Sequence, residues 1–310
     1  NMGMLVVTQQ VGLMFAFLLL GLWAAKVGWI SGNATSGMTN LLIYFVVPCV
    51  VINAFHRPFS APQIREFGWV ALIDFLSFPL VIGLARLIVR RARNDGELRD
   101  LRFGSAYANS MFLGVPLAQA LLGTDGVFFV IAHVIAFNIF SWTHGYGMFE
   151  PGKGGPRAAL HRIITNPAIP SLIIGLVLFV TQFQLPGLLM QGVSMMSALN
   201  APLSMLIVGA SLAGAKWAGL VTDRWLWMGV AIRNVAFPLL FLLLLWLVPL
   251  PTTVRLAVLI PLSCPVAAFL VVFNVKTNND PTFASSLVTL STLMSVLTVP
   301  AVMALAGVLW

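Results

Sequence analysis

Ten apolar runs separated by short polar breaks dominate the chain, at approximately 4–25, 36–55, 67–89, 103–122, 127–148, 168–185, 188–213, 225–248, 253–273 and 283–308. Each approaches the ~20 apolar residues that a helix needs to cross a hydrocarbon layer about 30 Å thick. A lipid core offers no partner to free backbone N–H and C=O groups, so runs of this length predict helices, whose hydrogen bonds close internally. The longest connections, Arg90 to Arg102 and Glu150 to Thr165, are polar and rich in Arg or Gly, and predict no separate soluble domain. No basic segment precedes the first run, which continues into spanning length and reads as a first span, not a cleavable leader.

The runs repeat. Ala71-Leu-Ile-Asp74-Phe-Leu-Ser-Phe78-Pro79-Leu80 in the third aligns with Val230-Ala-Ile-Arg233-Asn-Val-Ala-Phe237-Pro238-Leu239 in the eighth. In the same order Pro48 matches Pro202, Pro116 matches Pro265 and Asp125 matches Asp280. Two halves of five spans follow: 1–148, a linker at 149–165, and 166–310. An odd number of spans turns the second half upside down in the membrane, the plan of many secondary transporters. The fold expected is therefore an all-α polytopic membrane protein, ten transmembrane helices as two inverted five-helix repeats.

Composition agrees and narrows the class. Of 310 residues 59% are hydrophobic and 8% charged, too few charges to clothe a water-exposed globule. The net charge of +8 would raise nucleic acid as a partner, but its distribution reports topology instead. Loops of odd number carry thirteen Lys or Arg, including six between Arg86 and Arg102, whereas even loops carry Arg57, Arg65 and Arg255. Basic residues stay in the cytoplasm, so both termini are expected outside it. Cys49 and Cys264 lie in apolar runs and suggest neither a disulfide framework nor a metal cluster.

Spans four and nine carry the chemistry. Asn109-Ser110-Met-Phe-Leu-Gly114-Val-Pro116 and Pro261-Leu-Ser263-Cys264-Pro265 place proline, glycine and polar residues mid-span. They read as breaks that bring half-helix ends together near the midplane, where N-terminal ends favour an anion; simple proline kinks are the plainer alternative. Asp74 and Arg233 fall at similar depth, and an intramembrane charge is a functional candidate by default. Two readings stay open: Arg233 attracts a carboxylate while Asp74 couples to a proton or cation, or the two form a structural ion pair. His133 in span five reads as an interhelical hydrogen bond or a proton relay. Asn138, His144, Asn200, Asn53 and His56 are equally ambiguous, and the two span-five histidines are too far apart to share a metal. The patch Gly209-Ala-Ser211-Leu-Ala213-Gly214 predicts close helix packing.

With these breaks in place, the chain resembles a bacterial member of the auxin efflux carrier family, which includes the plant PIN-FORMED carriers. The stretches that carry the likeness are Asn109-Ser-Met-Phe-Leu-Gly114-Val-Pro116-Leu, similar to the family's Asn-x-Gly-Phe-x-Gly-x-Pro-Leu; Asn200-Ala-Pro202-Leu with Gly209; and Asp280, Ala284-Ser285, Ser291-Thr292 and Pro300. Met111 stands where that pattern has glycine. The resemblance implies a scaffold of spans one, two, six and seven, and a transport domain of spans three to five and eight to ten that moves as an elevator. It also implies that Asn109, Pro116 and Pro265 sit at a crossover binding a carboxylate, such as a small dicarboxylate or an auxin-like acid.

The expected function is secondary transport of small organic anions in a bacterial inner membrane. The expected substrate contacts are Asn109, Ser110, Gly114, Pro116, Ser263, Cys264, Pro265 and Arg233, with Asp74 and His133 in coupling or support. No cofactor or metal is expected; proton coupling, sodium coupling and uniport all stay open. Expected partners are an organic acid, membrane lipid and, through the scaffold spans, a second copy of the chain; nucleic acid is not among them. The alternatives are a receptor binding the same anion without moving it and, more weakly, an intramembrane hydrolase. For the latter Ser211 lacks a Gly-x-Ser-Gly setting, and neither His-Glu-x-x-His nor a second intramembrane Asp is present.

Overall fold

The computed structural model describes residues 2–150, 156–164, 168–214 and 219–310. Its helices, in chain order, are α1 (Met2–Lys26), α2 (Gly32–Phe55), α3 (Ala61–Ile88), α4 (Asp95–Ala106), α5 (Ser110–Gly145), α6 (Pro156–Ile164), α7 (Ala168–Thr181), α8 (Gly187–Leu212), α9 (Arg224–Trp246), α10 (Thr252–Leu262), α11 (Phe269–Lys276) and α12 (Thr282–Leu309). Among the described residues the one extended pairing is an isolated bridge between Ala108 and Val266. Six helices, α2, α3, α5, α8, α9 and α12, are long and apolar enough to cross a bilayer, and three shorter apolar helices accompany them. Each of the ten predicted runs is helical over most of its length, with runs four and nine interrupted, and the molecule is an integral membrane protein.

Two connections differ from the sequence expectation. Most of the polar stretch from Arg90 to Arg102 is helix, because Asn94 caps α4 by accepting the Glu97 N–H at 2.9 Å, with Asp95 and Glu97 in the first turn. The linker likewise contains the short helix α6; Lys153, and Lys216 in a later loop, lie outside the described residues.

Proline shapes the long helices locally. Wide π turns occur at Leu42–Val46, Ser110–Gly114 and Ala231–Ala236, each just before a proline, Pro48, Pro116 or Pro238. A proline ring collides with the carbonyl four residues back and donates nothing to it, and in each case that carbonyl (Tyr44, Phe112, Asn234) lies inside the wide turn. At 36 residues α5 would be about 54 Å long if straight. Gly123, at φ 66° and ψ −156°, interrupts it and divides 110–122 from 124–145.

Packing falls into two groups. α1 lies along α8, and α2 packs on α7 and α8. A Cβ at Gly21 would overlap the Leu206 backbone and one at Gly209 the Leu18 backbone, so these glycines let α1 and α8 touch main chain to main chain, as the small-residue patch predicted. In the second group α5 packs on α3 and α10, and α12 on α9 and α11.

Candidate functional site

α4 ends at Ala106 and α10 at Leu262, and the chain runs extended before α5 and α11 begin. The two stretches cross and satisfy each other: Asn109 N–H donates to Pro265 O at 2.7 Å, and Ala267 N–H to Tyr107 O at 2.9 Å. This backbone pairing meets the demand that no peptide group be left bare in hydrocarbon, and the breaks lie where the sequence put them. Val266 N–H donates to Ser291 Oγ at 2.9 Å, and Ser291 Oγ–H to Asn234 Oδ1 at 2.6 Å, which ties the second break to α12 and α9. Gly114 lets α5 approach: a Cβ there would stand 3.3 Å from Pro261 Cα.

Arg233 is fully buried behind the crossing. Nη1 donates to Ser105 O at 3.3 Å and Ala106 O at 3.5 Å, and Nη2 donates to Leu262 O. These are last-turn carbonyls of α4 and α10, so one guanidinium caps the negative ends of both interrupted helices. Of the two readings left open, the ion pair with Asp74 does not form, because α3 and α9 present their charges to different neighbours. Asp74 Oδ1 instead meets His133 Nδ1 at 2.8 Å, both buried, while Asp74 Oδ2 and His133 Nε2 have no partner. The two residues expected in coupling or support are thus brought together, and Arg233 is set apart from them.

A cavity of about 630 Å³ opens beside the crossing. Of the eight expected substrate contacts Asn109 alone lines it. The others lie behind or within the crossing: Ser110 Oγ turns to Ala108 O, Ser263 Oγ to Leu259 O and Cys264 Sγ to Ile260 O, while Pro116 is buried just after the wide turn that opens α5. Met111, Phe112, Ala268 and Phe269 join Asn109 in the lining. They belong to the starts of α5 and α11, where Ser110, Leu270 and Val271 N–H already donate to Ala108 O, Ala267 O and Ala268 O, which leaves the N–H groups of Met111, Phe112 and Phe269 for a ligand. Thr292 of α12 adds a buried Oγ1 without a partner. Lys276, at the end of α11, is the one charged lining residue among those described, its Nζ 5.2 Å from the centre of the Trp142 ring. From the crossing the lining reaches Ser36, Lys276 and Ser285, near helix ends whose connections each follow a single lysine, Lys26 or Lys276.

Sequence reasoning missed Lys276, Thr292, Asn234 and Ser291 as site residues. Asn234 did carry a signal: it is polar where the aligned position in the third run is Phe75.

Two interrupted helices thus cross backbone to backbone beside a cavity onto which the N-terminal ends of α5 and α11 open. A family model described as "Membrane transport protein" matches residues 6–303. The chain belongs to this membrane transport family. The family is that of the auxin efflux carriers, so the resemblance read from the sequence holds, and it is a family of transporters, not of enzymes. An uncharacterized transporter of Methanocaldococcus jannaschii is 25% identical over 204 residues, 63% of this chain and 65% of that protein. The match therefore spans slightly less than two thirds of that relative. An uncharacterized transporter of Methanothermobacter thermautotrophicus is 21% identical over 295 residues, 94% of this chain and 96% of that protein.

Proposed function

We propose that the protein is a secondary carrier of small organic anions, with the anionic group held at the crossing by the starts of α5 and α11, Asn109 and Thr292. The observation that carries this is the cavity joining those helix ends to Lys276. The pocket combines a positive polar end with apolar walls from Met111, Phe112 and Phe269, as a carboxylate on a small carbon skeleton requires. Arg233 is a positioning residue in this reading. It holds two negative helix ends together and leaves the opposite, positive ends for the substrate.

Ten spans in two inverted halves account for the matched interruptions, and a cavity mouth at the ends that Lys26 and Lys276 mark, on the side of the odd-numbered loops, supports an inward-open state. The grouping of α1, α2, α7 and α8 against the remaining long helices supports a fixed scaffold and a moving body, an elevator. Membership in a transport family weighs for a carrier over a receptor that would use the same pocket.

The test is counterflow in proteoliposomes. A thermal-stability screen first selects the mono- or dicarboxylate that stabilises the purified protein, and trapped label is then exchanged against it. Wild type is expected to exchange. Asn109→Ala and Thr292→Val are expected to lose at least about tenfold in kcat/KM, and Lys276→Gln to raise KM about tenfold, all with unchanged melting. A ligand that stabilises the protein without exchange would establish a receptor; unchanged uptake by Asn109→Ala would remove that residue from the site.

A further inference from the structure

A second pocket, of about 480 Å³, shares no lining residue with the first and lies between the end of α3, α4 and the chain after α5. Arg86, Arg99 and Arg102 line it with Asp95, Leu98 and Met148. Each guanidinium is fixed by protein contacts along part of its edge. Arg86 Nη2 lies 2.9 Å from His144 Nε2, and Arg102 Nε donates to Val89 O at 3.0 Å. Arg99 uses Nε and Nη2 on Asp100 and Nη2 on Asn274, with the Phe149 ring 4.5 Å from its Cζ. Nη1 of all three, and Nη2 of Arg102, have no acceptor among the described residues. Three planar forks held in place around one pocket suit the oxygens of a phosphate. Charge points the same way: three guanidiniums and Asp95 line the pocket, and of the three Asp100 pairs with Arg99 alone, so the lining stays positive and suits an anionic phosphate.

The neighbouring surface identifies the carrier of that phosphate. Leu72, Leu76, Leu80 and Leu87 of α3 are 48%, 62%, 41% and 60% exposed, and their spacing aligns them on one face of the helix. Gly83 falls between Leu80 and Leu87 with open space where a Cβ would stand, which makes a notch in the column. The column descends to Arg86. We infer that this is a binding site for an anionic phospholipid, its phosphodiester among Arg86, Arg99 and Arg102 and an acyl chain along α3. A free phosphate would use the arginines and leave the leucine column without a role.

Native mass spectrometry of the full-length protein in detergent, offered equal phosphatidylglycerol and phosphatidylcholine, tests the site. Wild type is expected to retain phosphatidylglycerol about tenfold better, and R86Q/R102Q to lose that preference. R86K/R102K keeps charge and fold but not the forks, and is expected to retain at least threefold less than wild type, which decides the matter if the glutamine pair does not fold. Equal retention of the two lipids overturns the proposal. So does a lysine pair equal to wild type, which would reduce the effect to diffuse surface attraction. Displacement of the lipid by an equal concentration of glycerol 3-phosphate would also overturn it, by making the ligand a soluble phosphate.

Discussion

Asp74 and Arg233 occupy matched places in the two halves of the chain, each four residues before a Phe-Pro pair, and both are fully buried. Their surroundings have little else in common. Asp74 bonds one side chain, His133, whereas Arg233 donates only to backbone, at the ends of α4 and α10; each keeps one polar atom unpartnered, Asp74 Oδ2 and Arg233 Nε. The difference teaches that in this fold a buried charge answers to the nearest unsatisfied dipole, not to its counterpart in the other half. A cation belongs where two helices end, and a carboxylate belongs where an imidazole can reach it.

Arg233→Leu should have the largest effect, since it strips a charged donor from three carbonyls. A loss of about 3 kcal/mol or more is expected, read as a fall in the melting temperature of detergent-purified protein, with Arg233→Lys recovering part of it. Unchanged melting would remove the double cap. Exchanging the charges, Asp74→Arg with Arg233→Asp, probes the comparison directly. An ion pair would survive the exchange; here the two penalties should add, because the residues have no shared partner.

A smaller effect is expected at the other charge. His133→Leu leaves a buried carboxylate unpaired and should cost about 1–3 kcal/mol, while His133→Leu with Asp74→Leu should cost less than the sum of the two single changes. Strict additivity in that cycle would dissolve the pair. The smallest effect belongs to Ser77→Ala. Ser77 Oγ–H only donates back to Asp74 O within the same helix, at 2.7 Å, and its removal should shift stability by about 0.5 kcal/mol or less in thermal unfolding.

The helices and both interruptions were legible in the sequence, because spanning length and mid-span proline are properties of a single segment. Partner choice was not. A sequence gives the depth of Asp74 or Arg233 along its helix but not the direction in which it faces, and direction decides between His133 and a helix end. Lys276 was counted among loop charges because it ends an apolar run; only the fold of α11 around the cavity turns it into lining. The helical character of Asp95–Ala106 was hidden for a similar reason. Its charges look like loop residues until Asp100 is seen packed against Arg99 and Asn274. Asn234 and Ser291 are small polar groups in apolar helices, and nothing local separates those that brace a neighbouring break from those that bond their own turn.

The two extended stretches pair with each other through main-chain atoms alone, at Tyr107 and Asn109 on one and Pro265 and Ala267 on the other. Every amino acid brings those same carbonyls, and all but proline bring the same N–H, so the knot is blind to side-chain identity. Such a join keeps the side chains of Tyr107, Asn109, Pro265 and Ala267 out of its own bonds, so they can be exchanged to suit a new cargo, whereas a proline at 109 or 267 would remove one of its two hydrogen bonds.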